Sequence, residues 1–496
     1  MREQPSQRSA DTRTAFVEKR LATQSVDNEP QPVNRLRRDL GTLESYAALI
    51  GILIGAGIFQ VTSQAWAITG PSVILGYVAL TPAILATAIP YAAYLSTHLG
   101  REPGGEYLHI SRTVGGYRLA YVGAWLKIIS YIGAGAYLAN AMAGYLIALS
   151  GGRIDAQKFQ LPLALAALVV FYLIHVIGIR WFGRFQVVMS TLKLLALLVL
   201  IVPGLFVLHR DNYTPFFTHG WNGFGASLLP LFFAYAGFES IAQTAGEVKD
   251  STRRLPRIIV KGITVTALIY VFTSIVSFGV LPGGQLQASS APMAAVASIY
   301  LPSGAAIFVT LGAIAAIMTA LNGTLFVPSR LAIMFVKDGL APRWLGIINE
   351  TTATPIRGLT LTLIGCAILL ISGQLSLALN VAVFALVVLY FIHSLVFLLL
   401  PRLNSALANQ IEINLPLRVR QVAAIVSVVS MGLLIWLQLK QDIVALQTTT
   451  LSQRITEHSL TSIELVFVWG IVGLGLYQLA RMQRRSAIAK VDVHGD

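Results

Sequence analysis

The stretch that decides the fold is "LIGILIGAGIFQ", Leu49 to Gln60, in the first apolar segment of the chain. Gly51, Gly55 and Gly57 make a continuous helix unfavourable here, because glycine has no side chain to pack and a wide choice of backbone angles. A helix that opens inside a bilayer leaves amides and carbonyls unpaired, and hydrocarbon offers them no partner. Opening is therefore useful only where the freed groups line a cavity and bind a polar ligand.

The composition predicts a polytopic membrane protein. Of the 496 residues, 55% are hydrophobic and 12% are charged, and the mean hydropathy is +0.70, whereas soluble domains are roughly a quarter charged. Residues 1–40 are polar and contain neither an apolar core nor a small-residue cleavage site, so we expect a disordered tail rather than a signal peptide. The single cysteine, Cys366, excludes an internal disulfide.

Apolar runs of about twenty residues, the length that crosses the hydrocarbon core as a helix, recur along the chain. They predict an all-α protein with about twelve transmembrane helices. The approximate spans are 42–67, 72–97, 118–149, 161–180, 184–208, 223–246, 258–281, 302–336, 356–373, 376–400, 419–439 and 462–481.

The basic residues predict the orientation. With the amino terminus inside, most lysines and arginines fall in inside loops, including the run from Lys249 to Lys261, while the outside loops carry few. We therefore expect a multi-pass protein of the cytoplasmic (inner or plasma) membrane with both termini in the cytoplasm. The net charge of +14 is then explained by the anionic inner leaflet, and no nucleic-acid partner is expected.

The sixth segment has a second interrupted stretch, "PLFFAYAGFESIAQTAGEV", Pro230 to Val248. It comes five helices after the first, and because five is odd the two halves of the chain run in opposite orientations. Interrupted segments at corresponding places of inverted halves are typical of a transporter's binding site. The half-helix that starts at a break suits a carboxylate, and the one that ends there suits an ammonium group. The alternative is that these glycines only allow close helix packing, but the matched pair favours opening.

Four quoted stretches resemble the amino acid–polyamine–organocation (APC) permeases. They are "IGILIGAGIF" (50–59), "REPGGEYLHISRTVGG" (101–116), "FFAYAGFESIAQTAGEVKDSTRRLPRII" (232–259) and "FVKDGLAPRWLGIINETTATPIRG" (335–358), and the similarity extends from about Gly41 to Leu400. The resemblance implies a leucine-transporter-like fold with 5+5 inverted repeats, broken helices 1 and 6, and alternating access. The repeats would be 41–208 and 209–400, followed by two helices in 401–481 and a cytoplasmic tail, 482–496, with the other tail at 1–40.

The resemblance also implies site residues. The substrate carboxylate would bind the amides of Ala56 and Gly57, and the amine would meet carbonyls near Leu53, Phe233 and Ala236. Phe233 would be either an aromatic gate or a core residue. Segment three would face the substrate side chain with Ile128, Ser130 and Tyr131, and segment eight offers polar residues that either contact substrate or bond within the bundle, Thr319, Asn322 and Thr324. The predicted substrate-binding set is Leu53, Gly55, Ala56, Gly57, Ile128, Tyr131, Phe233, Ala236, Gly237 and Thr324.

Ionisable residues within predicted segments are expensive and commonly functional, and we consider three of them: Glu239, Lys193 and Lys127. Glu239 matches a family position that helps organise the path from site to cytoplasm, or it is a structural acceptor of freed amides. Lys193 resembles a lysine whose ammonium group replaces a sodium ion between segments one and eight and takes part in coupling; the alternative is that it reaches the surface by snorkelling. For Lys127, near the end of segment three, we expect snorkelling.

These features predict a secondary transporter of amino acids with proton coupling, and with Phe233, Glu239 and Lys193 in gating or coupling. We expect the amino acids to be neutral, because segment three lacks an acid. An amino acid/polyamine exchanger is the alternative of the same class, and a membrane amino acid sensor is one of a different class. The scattered histidines predict no metal site, and the lack of a phosphate-binding loop argues against ATP-driven transport. We expect no enzyme activity and no cofactor; the partners are amino acid, protons and the lipid bilayer.

Overall fold

Long helices make up nearly all of the chain in the computed structural model, which describes residues 36–151, 153–289, 291–373, 375–456 and 460–493. Of the predicted tail 1–40, residues 1–35 lie outside the described residues. The α-helices are α1 Thr42–Leu53, α2 Thr62–Thr69, α3 Val73–Leu95, α4 Gly105–Val114, α5 Tyr117–Leu149, α6 Ala156–Ile177, α7 Ile179–Gly204, α8 Gly220–Tyr235, α9 Ser251–Val280, α10 Gly283–Ala288, α11 Pro292–Tyr300, α12 Ser303–Lys337, α13 Ile356–Ile371, α14 Leu375–Leu403, α15 Ser405–Ala408, α16 Leu417–Thr448, α17 Leu451–Thr456 and α18 Ser462–Val493.

The helices confirm an all-α polytopic membrane protein. Ten helical runs within the described ranges are long and apolar enough to cross a membrane. One of these, Thr42–Leu95, has 54 residues and covers the first two predicted segments, whereas Ile356–Ile371 is apolar but shorter. The count of twelve therefore stays a prediction, as do the inverted repeats. The short helices α10 and α11 were not predicted, and α18 continues beyond the predicted end at residue 481.

The first segment opens at the glycine-rich stretch. Helix α1 ends at Leu53, and Ile54 departs from helical geometry with φ −85° and ψ 85°. The chain then forms one widened turn, a π-helix from Gly57 to Val61, before α2 begins. The amide and the hydroxyl of Thr62 both bond to the carbonyl of Gly57, so part of the backbone freed by the break is satisfied locally.

The sixth segment opens as well. Helix α8 ends at Tyr235, Ala236 is extended, and Gly237 takes the left-handed conformation with φ +103°. A 3₁₀ helix, Phe238–Thr244, follows. Glycine is required at this turn because other residues are strained at positive φ, and the segment changes direction in its middle for that reason.

The glycines near the breaks also allow close helix packing, so the two readings of the sequence are compatible. A Cβ atom at Gly55 would lie 2.5 Å from Cβ of Ala320 on α12, and one at Gly237 would lie 2.3 Å from Cγ2 of Ile52 on α1. Real side chains do not approach so closely. Glycine therefore both permits the breaks and lets α1, α12 and the sixth segment meet at backbone distance.

Helix α18 is fastened to α5 by a pair of tryptophans. The rings of Trp125 and Trp469 stack with centroids 4.3 Å apart and planes inclined by 12°. Each indole N–H donates to the main-chain carbonyl of the other residue, at 2.7 Å and 2.8 Å. Both indole N–H groups are therefore satisfied. This contact holds α18, most of which is exposed, against α5.

Candidate functional site

The two breaks face each other across a small cavity in the middle of the bundle. It is lined by backbone and side chains of α1, α5, α12 and α14 together with both broken segments, and its volume is about 40 Å³. A water molecule occupies on the order of 10–15 Å³ on this measure, so an amino acid enters only if the walls move apart. The lining residues are Ile52, Leu53, Gly55, Ala56, Gly57, Tyr131, Leu138, Phe233, Ala236, Gly237, Ala320, Thr324 and Leu386.

The structure brings together nine of the ten residues predicted to bind substrate. The exception is Ile128, which lies on another face of α5 in an apolar groove with Trp125 and Ile132. Ser130 also faces elsewhere, because its hydroxyl donates to the carbonyl of Ala382 at 2.7 Å. Of the three residues of segment three, only Tyr131 reaches the cavity. What each lining residue binds stays a prediction.

Four lining residues were not predicted: Ile52, Leu138, Ala320 and Leu386. All are apolar and sit in largely apolar membrane segments, so the sequence offers no signal that separates a cavity wall from ordinary core. These four side chains form an apolar part of the cavity wall. The cavity therefore combines backbone polar groups with an apolar wall, the usual composition of a small-molecule site.

Tyr270 on α9 connects the two breaks and was missed from the sequence. Its hydroxyl lies within bonding distance of the carbonyls of Leu53, the last residue of α1, and Ala234 near the end of α8, the second at 2.6 Å. One hydroxyl proton serves one acceptor at a time. The carbonyl of Leu53, which we expected to meet a substrate amine, thus already has a partner inside the protein.

Phe233 lies at one end of the cavity and is half-buried. Its ring meets that of Tyr137 edge to face, with centroids 5.6 Å apart. The Tyr137 hydroxyl donates to Oε1 of Gln64 at 3.4 Å, and Gln64 is exposed. The two rings therefore separate the cavity from an exposed polar residue, the place in which an aromatic gate would act.

Lys193 on α7 is fully buried, so it does not snorkel to the surface. Its ammonium group donates to the carbonyls of Ile50 and Ile54 at 2.9 Å and of Gly51 at 3.2 Å, and it lies 3.0 Å from Oγ1 of Thr319 on α12. The side chain thus joins the end of α1 to α12, between segments one and eight. Carbonyl and hydroxyl oxygens around a single positive charge also resemble the oxygen ligands of a metal cation.

Glu239 lies directly beyond the break in the sixth segment and is fully buried. Tyr131 donates to Oε1 at 2.6 Å, the amide of Gly237 donates to Oε2 at 3.1 Å, and the Tyr390 hydroxyl donates to Oε2 as well. The carboxylate therefore accepts a freed amide, as in the structural interpretation. Through Tyr131 it is also linked to the cavity wall, so it contacts both the break and the site.

The prediction that Lys127 snorkels is wrong. Its side chain is fully buried, and Nζ lies 2.6 Å from Oε1 of Glu106 and 3.7 Å from Oε1 of Glu239. Glu106 belongs to α4, which follows the loop after α3. This partner lies on the short helix directly before α5 and was not predicted; buried charges are retained only when such partners exist.

At the other end of the sixth segment, the protein is closed. The amide of Leu40 donates to the carbonyl of Glu247 at 2.9 Å, and the amide of Lys249 donates to the carbonyl of Leu40 at 3.0 Å. Arg330 on α12 pairs with Glu247 at 3.0 Å, both side chains being 1% exposed. Burial raises the pKa of Glu247, and the Arg330 guanidinium opposes that shift.

Of the polar side chains of segment eight, Thr319 and Thr324 bond within the bundle, whereas the buried side-chain amide of Asn322 has no hydrogen-bond partner among the described residues. Thr319 lies 3.0 Å from the carbonyl of Gly51, and the main-chain carbonyl of Asn322 accepts from His175 Nε2 at 2.8 Å. Thr324 bonds to the carbonyl of Ala320 and also lines the cavity. Within the described residues, no group of three or more His, Cys, Asp or Glu side chains could hold a metal ion.

Comparison with known proteins gives one family match, to the amino acid permease model, over residues 40–469. Relatives are similar over much of their length. The chain is 27% identical over 362 residues to the methylthioribose transporter of Bacillus subtilis (strain 168), covering 70% of this chain and 77% of that one. It is 27% identical over 336 residues to the branched-chain amino acid permease BcaP of the same organism, covering 64% and 71%.

A plant relative extends the range of named substrates. The chain is 28% identical over 334 residues to the chloroplastic cationic amino acid transporter 9 of Arabidopsis thaliana, covering 64% of this chain and 58% of that protein.

Proposed function

Because the chain belongs to the amino acid permease family, we propose that it is a secondary active transporter that carries a neutral amino acid across the cytoplasmic membrane, coupled to protons. The observation that carries the proposal is the pair of broken segments, which face each other across one buried cavity. A half-helix that starts there presents amides to a carboxylate, and one that ends there presents carbonyls to an ammonium group.

The lining of the cavity favours a substrate with a neutral side chain. Around the breaks its lining is apolar except for the hydroxyls of Tyr131 and Thr324. The nearest acid, Glu239, has its carboxylate oxygens occupied by two tyrosines and an amide. A cationic side chain would need an unengaged counter-charge in this low-dielectric site. Among amino acids we therefore expect branched-chain substrates to be preferred over lysine or arginine.

Two closures support alternating access as the mechanism that we propose. Phe233 and Tyr137 cover the cavity toward exposed Gln64, and Glu247 with Arg330 closes the opposite end. We assign the Glu247 end to the cytoplasm, because the basic residues between Lys249 and Lys261 lie next to it. Opening one closure at a time lets the substrate pass without a continuous pore.

Lys193 supports proton coupling. Its ammonium group holds three carbonyls of the first segment against α12, so losing its proton would remove the positive charge that draws those oxygens together. A proton at this place can therefore do what a bound cation would do, and it would change the geometry of the first break. Proton release from Lys193 is the proposed coupling step.

The test is uptake of labelled amino acids and polyamines into proteoliposomes, with and without an inward proton gradient and with empty or amino-acid-loaded vesicles. We expect gradient-driven uptake of a neutral amino acid into empty vesicles. Uptake into loaded vesicles alone would show an exchanger. Binding without uptake in either case would overturn the proposal in favour of a sensor.

A further inference from the structure

Three ionisable side chains meet in the bundle away from Lys193: Glu106 on α4, Lys127 on α5 and Glu239 in the sixth segment. Each is 0% exposed. Lys127 Nζ lies 2.6 Å from Glu106 and 3.7 Å from Glu239. Two carboxylates and one ammonium group leave a surplus negative charge, and an unbalanced charge is strongly disfavoured in such a place. One added proton makes the cluster neutral.

The hydrogen bonds distinguish the two acids. Glu239 accepts from two tyrosine hydroxyls and the amide of Gly237, so both of its carboxylate oxygens are engaged. Oε2 of Glu106, in contrast, is buried and has no hydrogen-bond partner among the described residues. Burial raises the pKa of Glu106, while the charge of Lys127 opposes the shift and that of Glu239 adds to it. The added proton therefore belongs on Glu106.

The other groups that face the cluster do not supply a second positive charge. Tyr131 and Tyr390 donate to Glu239, and the ring of Tyr91 on α3 packs against Tyr390. His109 and His393 lie 3.0 Å apart, Nδ1 to Nε2. Burial lowers the pKa of His109 well below its usual value, and His393 and Lys127 lower it further, so His109 remains neutral.

We propose that Glu106 is a second proton-binding site, separate from Lys193, whose occupancy controls the geometry of the break in the sixth segment. The proton adds to Oε2 of Glu106 and leaves from the same atom. With Glu106 neutral, Lys127 is attracted only to Glu239, which holds the amide of Gly237 and the hydroxyl of cavity-lining Tyr131. With Glu106 ionised, Lys127 is drawn away from Glu239. The coupling role rests on the proposed transport function, whereas the proton site does not.

The direct test is infrared spectroscopy of the full-length protein in lipid, which detects the carbonyl stretch of a protonated carboxyl group. We expect such a band near neutral pH in the parent and its loss in Glu106→Gln. The matched control is Glu102→Gln, in the same loop, because the Glu102 side chain is 42% exposed and pairs with Lys337. A parent without the band, or a band that survives in Glu106→Gln, overturns the proposal.

A transport measurement tests the coupling. Glutamine mimics the protonated acid, so Glu106→Gln should lose the part of the pH dependence that Glu106 contributes, and its acid-to-alkaline uptake ratio should fall below the parent's. Lys193 is present in this variant, so the response to the proton gradient should remain, and Glu102→Gln should keep the parent's ratio. A parental pH profile in Glu106→Gln contradicts the coupling role. If the parent shows the infrared band but moves no amino acid, the transport proposal fails while the proton site stands. If Glu106→Gln does not insert, Lys127→Met is used instead, which removes the cation that opposes protonation and should strengthen the band.

Discussion

At the scale of single residues, Gly57 has no room for a side chain. A Cβ atom there would lie 2.5 Å from Cα and 2.7 Å from Cβ of Ala234, so the obstacle includes backbone of the sixth segment. Overpacking of this kind costs roughly 1–3 kcal/mol, and the segments must separate to relieve it. We expect Gly57→Val to insert but to bind substrate about tenfold more weakly or not at all, as measured by equilibrium binding in detergent or lipid.

The matched control for this variant is Gly475→Val on α18, where an added Cβ atom meets no heavy atom within 4 Å. It should bind like the parent. Parental binding and transport by Gly57→Val would show that the backbone around Gly57 is not the carboxylate site.

Lys193 gives a second residue-scale prediction. Lys193→Ala removes a donor from three buried carbonyls. The carbonyl of Gly51 keeps the hydroxyl of Thr319 and that of Ile50 keeps the amide of Ile54, so the main loss falls on the carbonyl of Ile54, and a buried acceptor left unpaired costs roughly 1–3 kcal/mol. We expect a lower melting temperature and uptake that no longer responds to the proton gradient. The control is Lys261→Ala, an exposed lysine on α9. A parental response to the gradient in Lys193→Ala would remove Lys193 from the coupling mechanism.

The sequence predicted the residues around the breaks well, because glycine and the neighbouring backbone determine the site directly. The sequence did not predict the role of side chains whose partners lie on another helix. The burial of Lys127 depends on Glu106 of α4, and a lysine near the end of a segment carries no mark of that partner. Ile128 and Tyr131 are three positions apart in one helix, yet only Tyr131 reaches the cavity, since helix rotation is set by packing.

At the scale of elements, the two broken segments are linked through α9. The Tyr270 hydroxyl reaches the carbonyls of Leu53 and Ala234, and its ring packs against Tyr77 and Tyr235, with centroids 5.2 Å and 5.1 Å away. The rigid ring cluster therefore positions a donor between the breaks. Glycine patterns predicted where the segments open, but nothing in the sequence of α9 indicated what holds the openings together.

Tyr270→Phe tests that link, since it removes only the hydroxyl. The one donor that the carbonyls of Leu53 and Ala234 share is lost, so we expect a stability loss of roughly 1–3 kcal/mol and a several-fold lower affinity for substrate, measured by thermal denaturation and binding on the same sample. Tyr213→Phe is the control: its hydroxyl bonds to the carbonyl of Ile275 at 2.7 Å, away from the breaks, so it should lower stability alone. Unchanged affinity in Tyr270→Phe would show that substrate does not sense this bond.

At the scale of the whole molecule, transport requires the end closed by Glu247 and Arg330 to open. Arg330→Met leaves a buried carboxylate uncompensated, which costs roughly 3–5 kcal/mol and favours the open state. The reporter is Thr244→Cys, 4% exposed in the parent, labelled with a thiol reagent; the native Cys366 is buried. We expect labelling to accelerate at least about tenfold, since about 1.4 kcal/mol corresponds to a factor of ten.

Two further variants serve as controls for the labelling experiment. Arg357→Met changes an exposed arginine and should leave the labelling rate unchanged. Adding Glu247→Leu to Arg330→Met removes the unpaired charge and should slow labelling again, because an apolar pair can replace a buried ion pair. Equal labelling in the parent and Arg330→Met would exclude this ion pair as a closure.

The contact between Trp125 and Trp469 has a consequence for spectroscopy. Two indoles stacked 4.3 Å apart couple their electronic transitions, so the folded protein should show a split near-ultraviolet circular dichroism band that Trp469→Phe abolishes. Since one ring is on α5 and the other on α18, the band is an intrinsic optical signal for detachment of the last helix, readable without label or substrate.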